Sequence, residues 1–411
     1  VSDPSAPIVF EHSNEAALAH RRVMCGFTLI MMALSWPIWH SPTLVPRFPV
    51  DAIEPFVVRN VGLETIGLLV CLTGLAASLA SGRIGRFGAA MTALAGLTLV
   101  LFDQNRLQAW FYQTLVLSAV YAFLPGSFAI GFVRFFAIVL YVHSALSKLD
   151  WSFVHSMGPY LLSPLIGRFP FELSKSQLTW VVLSLPIGEL AFALMLGSGY
   201  RKIGLIGATI MHAGLLVLLG PWALDHSGNV LLWNASMLVQ AWILFHDRAP
   251  KPAYDQIEAI QYSQPPISAL QSSPAALGLV QLGMLAVALL PFFERAGLWD
   301  PWPSFALYAG HVEQLRIDWP AELSDEIPPD YRPFLRQVDN DLVLDLTHWS
   351  RALFGVPPYP AQRIHRRLAR WIAETCPEGM PMRATFLSKA QWRTGARQET
   401  VLSSARSIRN R

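Results

Sequence analysis

The sequence predicts an all-α polytopic membrane protein with a small mixed α/β soluble region at its C-terminal end. Charged residues make up only 14% of the 411-residue chain and hydrophobic ones 53%, against about 25% charged in an ordinary soluble domain. The mean hydropathy is +0.38. Between residues 23 and 293, apolar stretches recur between short polar breaks, each close to the ~20 residues that cross a bilayer core. The net charge of +3 averages an apolar bundle with a charged tail. It gives no sign of a nucleic-acid partner; the bilayer is the first partner implied.

Nine spans are expected, over 23–40, 61–80, 84–102, 107–124, 129–147, 178–197, 202–220, 229–246 and 274–293. The first has no small-residue cleavage site behind it and reads as a membrane helix, not a signal peptide. The segment FVHSMGPYLLSPLI (153–166) is apolar but short and broken by Gly and Pro, which suits an interfacial or re-entrant helix. Lys and Arg favour cytoplasmic loops. Arg21–Arg22, Arg83/Arg86, Arg201–Lys202 and Arg248/Lys251 share one side if nine spans alternate, with Arg47, Arg59, Arg106, Arg168 and Lys175 opposing. The expected order is a cytoplasmic segment 1–22, a bundle 23–293, a soluble domain 294–382 on the outer face and a basic, fraying tail 383–411. In a bacterium the membrane would be the inner one.

Within the soluble region, LYAGHVEQLRI (307–317) alternates as a strand does, and VDNDLVLDLTHWSRALFG (338–355) reads as a short strand or turn followed by a helix. In PAQRIHRRLARWIAETC (360–376), Ile364, Leu368, Trp371 and Ile372 recur at helical spacing. Cys25, Cys71 and Cys376 form no C-x-x-C pair, so neither a disulfide framework nor a metal site is expected.

Ionisable residues inside a span cost about 2.5–3.5 kcal/mol at the helix centre on insertion scales, so they usually face protein. Arg134, Tyr141 and Lys148 are spaced by seven along the fifth span and share one stripe, since a helix drifts only about 20° per heptad. Glu189 and His212, on the sixth and seventh spans, fall near mid-membrane and are expected to pair. Asp103 and Arg106 occupy one outer turn, Asp225, His226 and Asn229 another, and Glu64 an outer helix end. With Lys148, Asp150, Trp110, Trp151, Trp222 and Trp233 they could form a polar mouth above an apolar cavity. The same residues also read as solvated loop charges with a belt of interfacial Trp. Glu189–His212 equally reads as a structural hydrogen bond between helices, and Lys148 as a snorkelling interfacial lysine.

The stretch FVRFFAIVLYVHSALSKLDW (132–151) resembles the helix-ending motif of the HTTM superfamily, the vitamin K-dependent γ-carboxylase-like membrane proteins. The matching residues are Arg134, Tyr141, Ala145, Lys148, Leu149, Asp150 and Trp151. IGELAFALMLGSGYRKIGLIGATIMHAGLL (187–216) is similar to the family's acidic helix, basic turn and His-bearing helix, with Glu189 and His212 in the matching places, and Asp103 matches an acidic residue after the third span. The resemblance implies nine helices with an inside N-terminus, and a reduced, vitamin K-like quinone deprotonated by Lys148. Glu189 and His212 would then shape the cavity, with Arg134, Tyr141, Asp103, Arg106, Asp150 and Trp151 around the cofactor and a peptide glutamate as substrate. The tail is too short and too charged to equal the carboxylase's luminal region. A weaker similarity reaches the smaller DoxX-like membrane proteins.

Two functions therefore stand side by side. One is a membrane enzyme with Lys148 as proton acceptor. The other is a non-catalytic scaffold or DoxX-like accessory component whose C-terminal domain docks a partner. A transporter has little support, because no internal repeat or paired broken helices are visible.

Overall fold

The computed structural model describes residues 6–40, 46–168, 172–246 and 273–409; Arg248 and Lys251, used above for orientation, lie outside them. Its first twelve helices are α1 (Ala6–Leu34), α2 (Trp36–Trp39), α3 (Glu54–Arg59), α4 (Val61–Ser78), α5 (Gly82–Phe102), α6 (Ala109–Phe123), α7 (Gly126–Ser147), α8 (Gly158–Ile166), α9 (Lys175–Leu196), α10 (Arg201–Leu219), α11 (Gly228–Phe245) and α12 (Pro274–Leu289). Among the described residues, 7 helical segments are long and apolar enough to cross a membrane, or 8 if the bent pair Asp51–Val57 and Gly62–Ser78 counts as one. By length and composition these helices are candidate membrane spans.

The spans differ from expectation in two places. The first is shifted toward the N-terminus, running over Ser13–Leu34. The run EAALAHRRV carries helix back through the segment expected to be a cytoplasmic tail, and Pro37, in the first turn of α2, starts a new element. The fourth is the 15-residue α6. It is about 22 Å long at 1.5 Å per residue, short of the ~30 Å hydrocarbon core.

One end of the bundle is tied by basic and amide side chains reaching carbonyls and amides of neighbouring turns. The guanidinium of Arg21 donates to Ala80 O (2.6 Å), Arg22 to Leu79 O (2.8 Å) and Arg86 to Ala122 O (3.2 Å), and the Ser127 amide donates to Asn14 Oδ1 (2.9 Å). Lipid offers no hydrophobic drive for helices to associate, so close packing of small residues matters. Helices α4 and α5 meet through glycines: a Cβ on Gly74 would lie 2.8 Å from Thr92 N, and one on Gly88 2.6 Å from Ser78 N.

The opposite end carries the cap, a five-stranded antiparallel sheet in the order β2-β3-β1-β4-β5. The strands are β1 (Gln314–Pro320), β2 (Leu335–Val338), β3 (Asp341–Leu344), β4 (Arg383–Leu387) and β5 (Glu399–Leu402), with helices α13 (Leu346–Phe354), α14 (Gln362–Thr375) and α15 (Ala405–Arg409). On α14, Ile364, Leu368 and Ile372 are buried as their spacing predicts. The expected strand over 307–317 begins only at Gln314. Its first half is backbone laid against the bundle, where a Cβ on Gly310 would come within 2.9 Å of the Ser152 carbonyl carbon.

The tail expected to fray from residue 383 is instead part of the sheet. Ile317 faces Ala384, and Thr385 faces Val401. Alternation over five residues is too short to stand out among arginines, and the pairing partner β1 lies more than 60 residues upstream. Phe305 packs edge-on against Phe136 of α7 (5.5 Å between ring centres), and the buried apolar side chains of cap and bundle form one continuous core.

Candidate functional site

The α7 stripe holds, and each of its three polar residues reaches a different helix. Arg134 Nε donates to Leu244 O of α11 (2.7 Å) and Tyr141 meets His212 of α10. Lys148, the residue that ends α7, reaches Glu189 of α9. Its ammonium folds back along its own helix and donates to Ser144 O (3.0 Å), Ser144 Oγ (2.6 Å) and Glu189 Oε2 (2.8 Å). Lys148 is 8% exposed and Glu189 7%. This is a buried ion pair, not an interfacial lysine reaching for water.

Three donor bonds use all the protons of an ammonium and leave no lone pair. The proton-accepting amine expected from the sequence is therefore not what the geometry offers. On the partner, Glu189 Oε2 takes the ammonium and Oε1 accepts no hydrogen bond among the described residues.

The Glu189–His212 pair expected from their depth does not form. Helix α7 packs directly against α9 and brings Lys148 to the carboxylate first. His212 instead lies between Tyr141 Oη (2.9 Å from Nε2) and Asn234 Oδ1 (3.1 Å from Nδ1). Asn234 Nδ2 donates to Val230 O (2.9 Å), so its oxygen is the atom facing the ring. Nδ1 of His212 then carries the proton, and Nε2 accepts from the Tyr141 hydroxyl. Phe192, one turn along α9 from Glu189, supports the Tyr141 ring edge-on at 5.1 Å. Ser144 and Asn234 carry no charge, and their roles as partners of Lys148 and His212 came to light only with the helix packing.

The outer-end residues separate into two further clusters. Arg106 is 0% exposed. It donates to Ile38 O (2.7 Å), Leu99 O (3.2 Å) and Trp39 O (3.4 Å) and forms an ion pair with Glu64. Asp103 accepts from the amides of Asn105 (3.0 Å) and Phe48 (3.4 Å). Burial raises its pKa against the opposing pull of Arg106. These two residues staple the turn between α5 and α6 to the chain after α1 and, among the described residues, neither hydrogen-bonds nor ion-pairs with Lys148.

Asp150 belongs to a junction between bundle and cap. His311 of the cap places Nδ1 2.6 Å from Asp150 Oδ2 and Nε2 3.0 Å from Glu294 Oε2. Lys389 binds Glu294 Oε1 (2.7 Å) and Arg295 approaches Asp150 Oδ2 (3.4 Å). Burial would lower the His311 pKa, but hydrogen bonds to Asp150 and Glu294 outweigh it and raise it. Burial would raise both carboxyls, but the His311 hydrogen bonds, with Lys389 at Glu294 and Arg295 at Asp150, hold them below their ordinary range. An imidazole bonded to a carboxylate at each nitrogen donates twice, which only imidazolium can do. Sequence reasoning missed His311, Glu294, Arg295 and Lys389. The acid–base pair directly after the last span was the one available signal.

Trp151, placed in the mouth by its position after Asp150, is 42% exposed, with His155 stacked on its ring at 4.4 Å. A groove of about 320 Å³ lies beside it, lined by Leu149, Asp150, Trp151 and Leu183 among others; a smaller space of about 80 Å³ is lined by His143, Ser147 and Glu294 among others. Lys148, Glu189 and His212 line neither. Among the described residues no group of three or more His, Cys, Asp or Glu could hold a metal ion. Comparison with known proteins returned no match among family models, curated proteins or solved structures.

Proposed function

We propose that the chain is an integral membrane protein of HTTM, γ-carboxylase-like plan that exchanges a proton with a lipophilic acid drawn from the bilayer. Glu189 is the acceptor. Its carboxylate takes the proton from the acid, and the resulting anion is held by the Lys148 ammonium. The observation that carries the reading is the Lys148–Glu189 contact of 2.8 Å between side chains that are both about nine-tenths buried; a buried ionisable pair is expensive and is a functional-site hypothesis by default. Tyr141 and His212 support it by placing two more groups that carry exchangeable protons about two turns along α7 from Lys148. Gly188, exposed on α9 beside Glu189 with nothing within 4 Å of where a Cβ would sit, leaves an approach from the lipid side. The basic loops support nine crossings with the N-terminus cytoplasmic and the cap outside.

The experiment is proton release by a reduced naphthoquinone in proteoliposomes of the full chain, followed as bleaching of the quinol absorbance. Glu189→Gln should abolish it and Lys148→Met should reduce it by orders of magnitude, while both variants elute as the wild type does. Unchanged release in both overturns the reading.

The scaffold reading is favoured by one specific observation. The cap is pinned to the bundle at several points, including Arg367 to Pro49 O (2.8 Å) and Arg351 to Asp225 O (2.9 Å). It requires that variants at Lys148 and Glu189 be silent in function and that partner capture depend on residues 300–409.

A further inference from the structure

We propose that the groove where the 149–155 segment, α9 and the loop after β4 meet binds the headgroup end of an anionic phospholipid on the cap side of the membrane. The site is independent of the proton-exchange reading, and its floor is apolar: Leu149 and Val154 on one side, Leu183 of α9 on the other, in a volume of about 320 Å³. Leu183 belongs to a helix whose outward face is built for lipid, with Trp180 67% and Ile187 51% exposed, so the groove continues into the bilayer along α9. Its walls are Trp151 and Trp392, which are 42% and 54% exposed. Amphipathic rings of this kind settle at the level of lipid headgroups. They are fixed in place: the Trp151 amide donates to Trp392 O at 3.0 Å and the Trp392 indole N–H donates to Leu149 O.

The charge at the rim selects the headgroup. The Arg393 guanidinium stands 5.7 Å over the Trp392 ring and, among the described residues, has no hydrogen bond or ion pair. Asp150, the one acid lining the groove, is already matched by His311 and Arg295, so it does not neutralise Arg393. His155 adds a second polar group to the lining, with its Nδ1 3.0 Å from Trp151 O and Nε2 left for the headgroup. A guanidinium placed over an indole, without a counter-ion among the described residues, beside an apolar slot open to lipid matches a phosphate ester with acyl chains below it.

The test reconstitutes the full chain in phosphatidylcholine vesicles containing a minority of phosphatidylglycerol with a photoreactive group high on one acyl chain, and maps the cross-linked peptides. Label should fall on residues 149–155 and 392–393 and should exceed that from photoreactive phosphatidylcholine. Arg393→Gln should lower it about fivefold, the effect of one basic residue near an anionic surface. Leu183→Trp, which fills the slot and leaves the charge, should remove it; Val154→Trp fills the slot from the opposite wall if that variant does not fold. Labelling of α12 should stay constant in all of them as the measure of bulk lipid contact. Equal labelling by the two headgroups, or groove labelling indifferent to Arg393→Gln and to filling, overturns the proposal.

Discussion

Lys148 and Asp150 are two residues apart, and they enter opposite kinds of ionic site. Lys148 turns back into the bundle and meets a single carboxylate, with a serine from its own helix completing its bonds. Asp150 turns outward and joins one further carboxylate (Glu294), an imidazole (His311), a guanidinium (Arg295) and an ammonium (Lys389), all more than 140 positions away in sequence. Inside lipid an unmatched charge has no water to fall back on, so charge is kept to one of each sign on adjacent helices. At the seam, several partly redundant partners can be used, and they join pieces of chain distant in sequence. The first arrangement is suited to handling a proton. The second is suited to holding two bodies together.

The contrast can be broken most sharply at His311. His311→Leu leaves Asp150 and Glu294 buried without the group between them and should cost about 5 kcal/mol, the upper end for a broken buried pair. Unfolding in detergent should then show the cap separating before the bundle melts; a single unchanged transition would mean that apolar packing alone holds the seam. Glu189→Leu should cost somewhat less, about 3 kcal/mol, since one ammonium is orphaned and Ser144 still serves it. Lys148→Met with Glu189→Leu should recover most of that stability without recovering proton exchange, which separates the folding role of the pair from its chemistry.

A smaller effect is expected from pH, and only at the seam. The native pKa of His311 is raised, so its contribution is complete below about 6.5 and is lost as pH climbs through the native value. Those of Asp150 and Glu294 are lowered, so theirs is complete above about 4 and is lost as pH falls through the native values. Hydrogen-exchange protection at residues 307–313 should plateau between these limits and fall on both sides, and His311→Leu should remove the alkaline fall. The smallest change is Tyr141→Phe, about 0.6–1 kcal/mol for one neutral interhelical hydrogen bond, read as a shift in thermal unfolding with the cap's pH response untouched.

Composition and periodicity alone determined that the chain is mostly helical with apolar helices of membrane-spanning length, roughly where those helices lie, and that Arg134, Tyr141 and Lys148 share a face, because segment length and side-chain spacing are local properties. The amphipathic spacing of Ile364, Leu368 and Ile372 placed α14 for the same reason. Partners were not local. Which helix lies against α7 decided that Glu189 answers Lys148 while His212 answers Tyr141, and that Asp103 and Arg106 belong to a separate staple. The strand at 383–387 and the role of His311 depended on contacts across 60 residues or more, which no pattern along a single stretch can encode. Charge marks that a buried group needs a partner; only the packing of distant segments decides which one it finds.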